Sequence, residues 1–300
     1  MPKIHRILVV VDHDQQPLRD VRKAIEIARH WGAQVELFGC EAEQAYVLDH
    51  RYDREGVDRA RTDCIARALT QLRGLRASAD GADVEISVDA ECESPLYEGI
   101  VRKVLRSAPD LVIKRAAILD RRGYGYPDSN DWQLMRTCPA TLMLTRGSVW
   151  QPRPRFAAAV DVSEAETAGL AKEVLQSAHL LAAGWHAALE VIYGEAAESS
   201  AASAHLAHLN RLCAEGGVAP QSRHVVHGEP DVSLPDFVGR RAYDVMVLGA
   251  LAHRAGESAQ VGSLTSRLLE ALDSDFVLVR PPQRPAMGKS STAAARSARS

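Results

Sequence analysis

The stretch "DVMVLGALAHRAGESAQVGSLTSRLL", Asp244 to Leu269, runs from an apolar segment through a polar loop into a helix-like segment. Val245 to Leu248 are all apolar and end at Gly249, as expected for a short strand buried on both faces of a sheet. Gly262-Ser263 then opens "SLTSRLLEAL", which reads as a helix. A strand, a glycine-bounded loop and a helix start form an arrangement suited to an anion. Backbone N–H groups converge at a helix N-terminus, where the partial charge is positive and no side chain need intervene.

The same plan occurs twice in the chain. "HRILVVVDHDQQPLRDVRKAIEIARHWGAQVELFGC" begins at His5, and "PRFAAAVDVSEAETAGLAKEVLQSAHLLAAGWHAALEVIYG" begins at Pro154. Each reads as a buried strand ending in an aspartate, an amphipathic helix, a glycine break and a second β-rich run. Asp12 corresponds to Asp161 and Gly32 to Gly184. Farther on, Pro95 stands opposite Pro230 and Asp110 opposite Asp244, and the copies close on "TLMLTR" and "FVLVRP". A repeat this long is a duplicated domain, not a solenoid unit.

The reading predicts an α/β fold of two tandem Rossmann-like domains, each a five-stranded parallel sheet with helices on both faces. Strands are expected near 6–11, 34–40, 83–88, 110–114 and 140–145, and again near 155–160, 187–193, 221–226, 244–248 and 275–280. Pro17 or Asp20 opens the first helix, and Ser163 with Glu166 forms a capping box for its counterpart. The domains are expected at 1–148 and 153–282, joined through "RGSVWQPRP" (Arg146 to Pro154). Residues 283–300, basic and without apolar periodicity, read as a disordered tail.

Composition sets further bounds. The 300 residues are 46% hydrophobic and 25% charged, enough to build a core in each half. A net charge of −3 gives no reason to expect nucleic acid as a partner. No segment is long and apolar enough for a signal peptide or a membrane span, so no membrane association is expected and the location expected is the cytoplasm. The 5 cysteines are scattered without a CxxC pair, which argues for reduced, buried thiols.

In an open parallel sheet a ligand sits beyond the carboxyl ends of the strands, where the strand order reverses. Asp161, Gly249 and Gly262-Ser263 converge on that edge in the second copy, with His253 and Arg254 between the glycines in reach of phosphate oxygens.

On these residues the sequence resembles the universal stress proteins, most of all their tandem-domain, type E members. Nucleotide-binding members of that family carry G-x2-G-x9-G-[S/T] after the fourth strand and an Asp at the end of the first. Here Gly249, Gly262, Ser263 and Asp161 fill those places, and Ala252 replaces the middle glycine. The likeness extends over residues 3 to 282. It implies an adenine nucleotide alpha hydrolase-like fold and ATP, with Mg2+, bound in the second domain. Asp161 would meet the adenine edge, backbone near Val191 would hold the base, and Leu248-Gly249 would pass beneath the ribose. Ala252, Arg254, Gly262, Ser263, Leu264 and Thr265 would surround the phosphates.

The first copy departs from the motif. Lys114-Arg115 replace Leu248-Gly249, and Asp128-Ser129 stand where Gly262-Ser263 would be. A carboxylate repels a phosphate, so no cofactor is expected in the first domain. The family also pairs through its fifth strand. In a tandem chain "TLMLTR" beside "FVLVRP" would give an intramolecular pseudo-dimer, and a homodimer of such chains is a further option.

Signals for catalysis are scarce. GxSxG, Walker A, HExxH and dinucleotide GxGxxG motifs are all missing, and Glu257 is only the nearest acid to the loop, so at most slow ATP hydrolysis is expected and no catalytic residue is assigned. His205 with His208, and His224 with His227, lack a completing ligand set and read as surface histidines, with no metal assigned. "RRGYGYPDSNDW" (Arg121 to Trp132) reads as a surface loop. The alternative function is a nucleotide-free dimeric scaffold or a carrier of an apolar, lipid-like ligand between helices and sheet.

Overall fold

The computed structural model describes residues 3–12, 17–41, 54–116, 127–163, 169–196, 201–219, 222–250 and 261–280. Within these, the first half contains strands β1 (Arg6–Val11), β2 (Gln34–Glu41), β3 (Ile86–Cys92), β4 (Leu111–Arg115) and β5 (Thr141–Thr145). Its helices are α1 (Leu18–Trp31), α2 (Arg54–Ser78), α3 (Leu96–Ser107) and α4 (Ser129–Thr137). The second half repeats the order with β6 (Phe156–Ala159), α5 (Leu170–Gly184), β7 (Leu189–Glu195), α6 (Ala202–Glu215), β8 (Ser222–His227), α7 (Pro230–Gly239), β9 (Val245–Gly249), α8 (Ser263–Ala271) and β10 (Asp275–Val279).

All the strands join one 10-stranded sheet in the order β3-β2-β1-β4-β5-β10-β9-β6-β7-β8. Every neighbouring pair is parallel except β5 and β10 at the centre, where Leu142, Met143 and Leu144 face Leu278, Val277 and Phe276 in antiparallel register. The expected seam between "TLMLTR" and "FVLVRP" is therefore the join between the halves. Alternation on the central strands divides the core into two layers. Val9, Leu37, Ile113, Val191 and Val247 face one layer, and Leu8, Phe38, Val112, Ile192 and Leu248 face the other. Helices cover both faces, as near-continuous Val/Ile/Leu strands require.

One expected strand and one expected helix start differ in the structure. β3 begins at Ile86, because Gly81 to Val84 form a turn with Val84 N–H bonded to the Gly81 carbonyl at 3.0 Å. Asp83 in that turn holds the Arg29 guanidinium through two bonds of 2.8 Å. In the second half the helix begins at Leu170 behind Gly169, which takes a φ of +79°, and not at the Ser163 box. Ser163 N–H instead bonds to the Asp161 carboxylate at 2.9 Å, and Glu166 lies outside the described residues. The tail, 283–300, also lies outside them.

The matched aspartates of the repeat act as clamps. Asp110 accepts from the N–H groups of His5 (2.7 Å) and Arg6 (3.0 Å), and Asp244 accepts from those of Gln151 (3.3 Å) and Arg155 (2.9 Å). Each ties the entry of its half's first strand to the fourth. Gly32 and Gly184, also matched, differ in role. Gly32 closes α1 with a left-handed φ of +63°, whereas Gly184 lets α5 approach α1, since a Cβ there would lie 3.3 Å from His30.

The halves are locked by charge as well as by the seam. Arg146, just after β5, donates to the Leu269 carbonyl at 2.7 Å, and Arg280, just after β10, donates to the Met135 carbonyl at 3.0 Å. Each arginine thus satisfies carbonyls near the end of the other half's last helix, where the dipole favours a cation. Lys23 of α1 forms an ion pair with Asp275 of β10, and both are buried. Asp275 also accepts from Trp150 Nε1 at 2.7 Å and from Arg146 N–H at 2.8 Å. The Lys23 ammonium lies 5.4 Å from the centroid of the Trp150 ring. Burial pushes the Asp275 carboxyl upward against the pull of Lys23, so the pair fixes geometry more than it adds stability.

At the N-terminal edge of the second half, Glu190 accepts from Tyr243 (2.7 Å), His224 (2.8 Å) and Arg155 (3.0 Å). Burial opposes its ionisation, but these bonds outweigh it and pull the carboxyl down to about 2. Because the folded value lies below the ordinary one, the stabilisation is complete above the unfolded value and fades as pH falls through the folded one.

Two outcomes follow. Asp275→Ala strands the Lys23 charge and should cost about 3–5 kcal/mol in denaturant titration, while the double change Lys23→Met with Asp275→Leu should recover most of it. Glu190→Gln should flatten the loss of stability between about pH 5 and about pH 2 that thermal melts of the unaltered protein display.

Candidate functional site

The strand order of the second half reverses between β9 and β6, which pair through Val247 and Ala158. Loops from the two strands therefore diverge at their carboxyl ends and leave a crevice there. β6 ends beneath Val160 and Asp161, the first buried and the second exposed. β9 delivers Leu248, buried in the core, and Gly249 at the edge. Gly262 N-caps α8 in extended conformation (φ −63°, ψ 147°) without a side-chain cap. The first bond inside the helix runs from Ser266 N–H to the Gly262 carbonyl at 3.0 Å. The N–H groups of Ser263, Leu264 and Thr265 precede it and have no carbonyl partner within the helix.

One bond sets this helix end beside the strand end. Thr265 Oγ1 donates to the Gly249 carbonyl at 3.1 Å, with Thr265 itself buried. Three of the motif residues, Gly249, Gly262 and Thr265, thus meet at the crevice, with Ser263 and Leu264 between the last two. Asp161 sits across it on the neighbouring strand, turned back onto Ser163 N–H. Val191 lies inside the ladder opposite Ala158 and Arg223, fully buried. Ala252, His253, Arg254 and Glu257 lie outside the described residues.

Gly249 does not take the left-handed φ for which a turn demands glycine. A Cβ on Gly249 would lie 2.7 Å from Leu170 Cδ2. The first residue of α5 rests against the bare Cα, so the glycine serves helix-on-strand packing.

The first half fills the equivalent crevice with its own charges. Asp128 N-caps α4, its carboxylate accepting from Asp131 N–H at 2.7 Å. Asp131 pairs with Lys114 at 2.7 Å, both buried. Arg115, in the place of Gly249, bonds to Asp20 at 2.8 Å, and Asp20 also accepts from Thr145 Oγ1 at 2.6 Å. Where the second half offers amides, the first half supplies an anion of its own.

The structure also assembles a group that the sequence reading missed. Tyr193 and Glu195 alternate onto one face at the end of β7, and His205 reaches them from α6. His205 Nδ1 lies 2.9 Å from Glu195 Oε2 and 3.0 Å from the Tyr193 hydroxyl. His208, one turn on, places Nδ1 3.2 Å from the Val162 carbonyl. These two histidines are bonded partners of the sheet edge, not the bare surface residues expected. Burial, followed by the hydrogen bond to Glu195, raises the Tyr193 hydroxyl and keeps it protonated. The i, i+2 spacing of Tyr193 and Glu195 was the available signal, but it becomes meaningful only once α6 is docked.

Other chemistries find little support. Among the described residues no group of three or more His, Cys, Asp or Glu side chains is arranged to hold a metal ion. The five cysteines are buried and unbridged, and burial with nearby carboxylates pushes the Cys40 thiol up to about 12, far from a reactive thiolate. No helix among the described residues is long and apolar enough to cross a membrane.

Residues 148–280 match the Universal stress protein family. Universal stress protein E of Escherichia coli K12 is 22% identical, with 94% of this chain and 96% of that protein covered. A functionally unknown protein from Pseudomonas aeruginosa PAO1 superposes with a TM-score of 0.71 at 22% identity, covering 93% of each chain. A universal stress protein from Archaeoglobus fulgidus gives 0.70 at 11% identity, covering 92% of this chain and 98% of the other. Its second half, residues 148–280, is thus similar to the universal stress protein family, and the whole length carries the fold of these two solved structures.

Proposed function

We propose that the chain is a cytoplasmic stress-response regulator that binds ATP, with Mg2+ on the phosphates, in its second half and acts through a nucleotide-dependent change of shape or partner. The observation that carries this reading is the contrast between two matched helix starts. α8 begins behind Gly262 with first-turn amides that no described residue bonds and no side-chain cap, while α4 begins behind Asp128, whose carboxylate takes an amide for itself. A polyanion is favoured at the first and repelled at the second.

The residues fit the phosphate end of such a ligand. Gly262 has no Cβ to block the approach, Ser263 adds a hydroxyl, and Leu264 and Thr265 contribute main-chain N–H groups. Arg254 and Ala252 belong to the same motif by spacing. Asp161 supplies an acceptor on the far side of the crevice for a base, with backbone near Val191 beneath it and Leu248-Gly249 under the ribose. No base for hydrolysis is assigned, and regulation by binding, not turnover, is the activity proposed. Pairing within the chain occupies the β5 and β10 edges, so a homodimer would form through another surface.

A nucleotide-free scaffold is the second reading, and Leu170 favours it. Its side chain covers the Gly249 Cα that the motif would leave open to a ribose. The two readings separate in one titration with a fluorescent ATP analogue. Gly262→Asp places a carboxylate about 4 Å from a phosphate charge, a repulsion of ~1–4 kcal/mol, so affinity should fall about tenfold or more. Equal binding by both proteins counts against a phosphate site at Gly262, and no binding by either favours the scaffold. Asp128→Ala should cost about 0.5–2 kcal/mol through the lost cap and create no second nucleotide site, because Lys114–Asp131 and Arg115–Asp20 remain.

A further inference from the structure

Among the described residues the Tyr193–Glu195–His205 group is seen in the second half, while in the first Glu41 matches Glu195 and a glycine stands in the tyrosine's place. Counting from Asp12 and Asp161, Val9 matches Ala158, and their ladder partners are Leu37 and Val191. Tyr193 therefore matches Gly39, on which Leu72 and Ala68 of α2 pack at 3.4 and 3.5 Å from a Cβ position. The half that fills its crevice with charge has an apolar contact here. The half that leaves helix amides bare has a buried hydroxyl, a buried carboxylate and an imidazole.

The geometry defines what that imidazole presents. Glu195 has a side chain only 3% exposed, so its carboxylate must be satisfied by protein donors. A carboxylate only accepts, and it takes the Nδ1 proton of His205, which fixes the ring tautomer. The ring meets Tyr193 edge to face, with centroids 5.8 Å apart at 82°. In the neutral ring Nε2 is then the atom with the lone pair, no described residue bonds to it, and the side chain is 15% exposed. His208 holds the same helix face to the β6 loop through the Val162 carbonyl.

Topology sets the distance to the phosphate end. β7 lies two strands from β9, about 10 Å at the usual strand spacing. β6, which leads into Asp161, lies between β7 and β9, and Val162 of its loop is bonded to His208 one turn from His205.

We propose that His205, oriented by Glu195 and Tyr193, is the residue that selects the heterocycle of the bound nucleotide, its Nε2 accepting from an exocyclic amino group. This inference rests on nucleotide binding in the second half. It names the ligand class more narrowly as an aminopurine with the amino group on the accepting side. A base with a carbonyl oxygen there sets lone pair against lone pair and is rejected, because a buried acceptor without a donor is costly.

The test is a binding titration of the full chain with ATP, GTP and inorganic triphosphate. The unaltered protein should prefer ATP to GTP. His205→Phe, which keeps a ring but removes the nitrogen, should weaken ATP about fivefold to tenfold and leave triphosphate unchanged, and His205→Gln, which keeps an acceptor, should restore part of the preference. In the unaltered protein the His205 ring signals in NMR should shift on saturation with ATP but not with triphosphate, a readout that does not depend on any variant folding. Equal affinity for ATP and GTP, an unchanged ratio in His205→Phe, or unmoved ring signals overturns the inference while ATP binding lost in Gly262→Asp still stands. Failure of the unaltered protein to bind either nucleotide overturns both.

Discussion

The open edge of a fifth strand is the constraint around which this molecule is arranged. A five-stranded parallel sheet with helices on both faces leaves that strand with unpaired N–H and C=O groups, and an exposed apolar edge invites uncontrolled association. Here β5 and β10 satisfy each other in antiparallel register, Met143 against Val277 at the centre. Because the two strands belong to one chain, the partner is always present. The sheet becomes continuous, and its outer edges are β3 and β8, far from the seam.

Duplication under that constraint frees the halves to diverge. The seam, the Lys23–Asp275 pair and the exchanged arginines hold the halves together, while the two crevices differ. In the first, Lys114, Arg115, Asp20, Asp128 and Asp131 neutralise one another inside the protein. In the second, Leu248, Gly249 and Gly262 stand where Lys114, Arg115 and Asp128 do in the first. The difference resides in a few residues at strand ends and helix starts, while the β-ladders are nearly identical.

How much of this was legible depended on the range of the interaction. Continuous Val/Ile/Leu runs such as Ile7 to Val11 and Val245 to Leu248 announced the strands, and their recurrence announced the doubled sheet. The seam could be inferred because each copy ended in an apolar strand needing a partner. Pro95 and Pro230, matched by eye, both stand at helix starts. Illegible were contacts joining distant residues, such as Lys23 with Asp275, where neither side chain advertises burial. Glu195 and His205 were hidden for a similar reason, since strand parity and helix phase must both be known before they meet. Gly249 was legible as a glycine at a strand end, but the Leu170 side chain packed against its Cα was not, because that residue is distant in sequence.

The exchanged arginines carry an implication for how the chain holds together. The first copy's own last helix is finished by Arg280, supplied from the far end of the polypeptide, and the second copy's last helix is finished by Arg146, supplied from the first. Each last helix therefore has a carbonyl contact that only the other half provides, beside the backbone bond that closes it from within. Separating the halves would uncover both helix ends and both seam strands together.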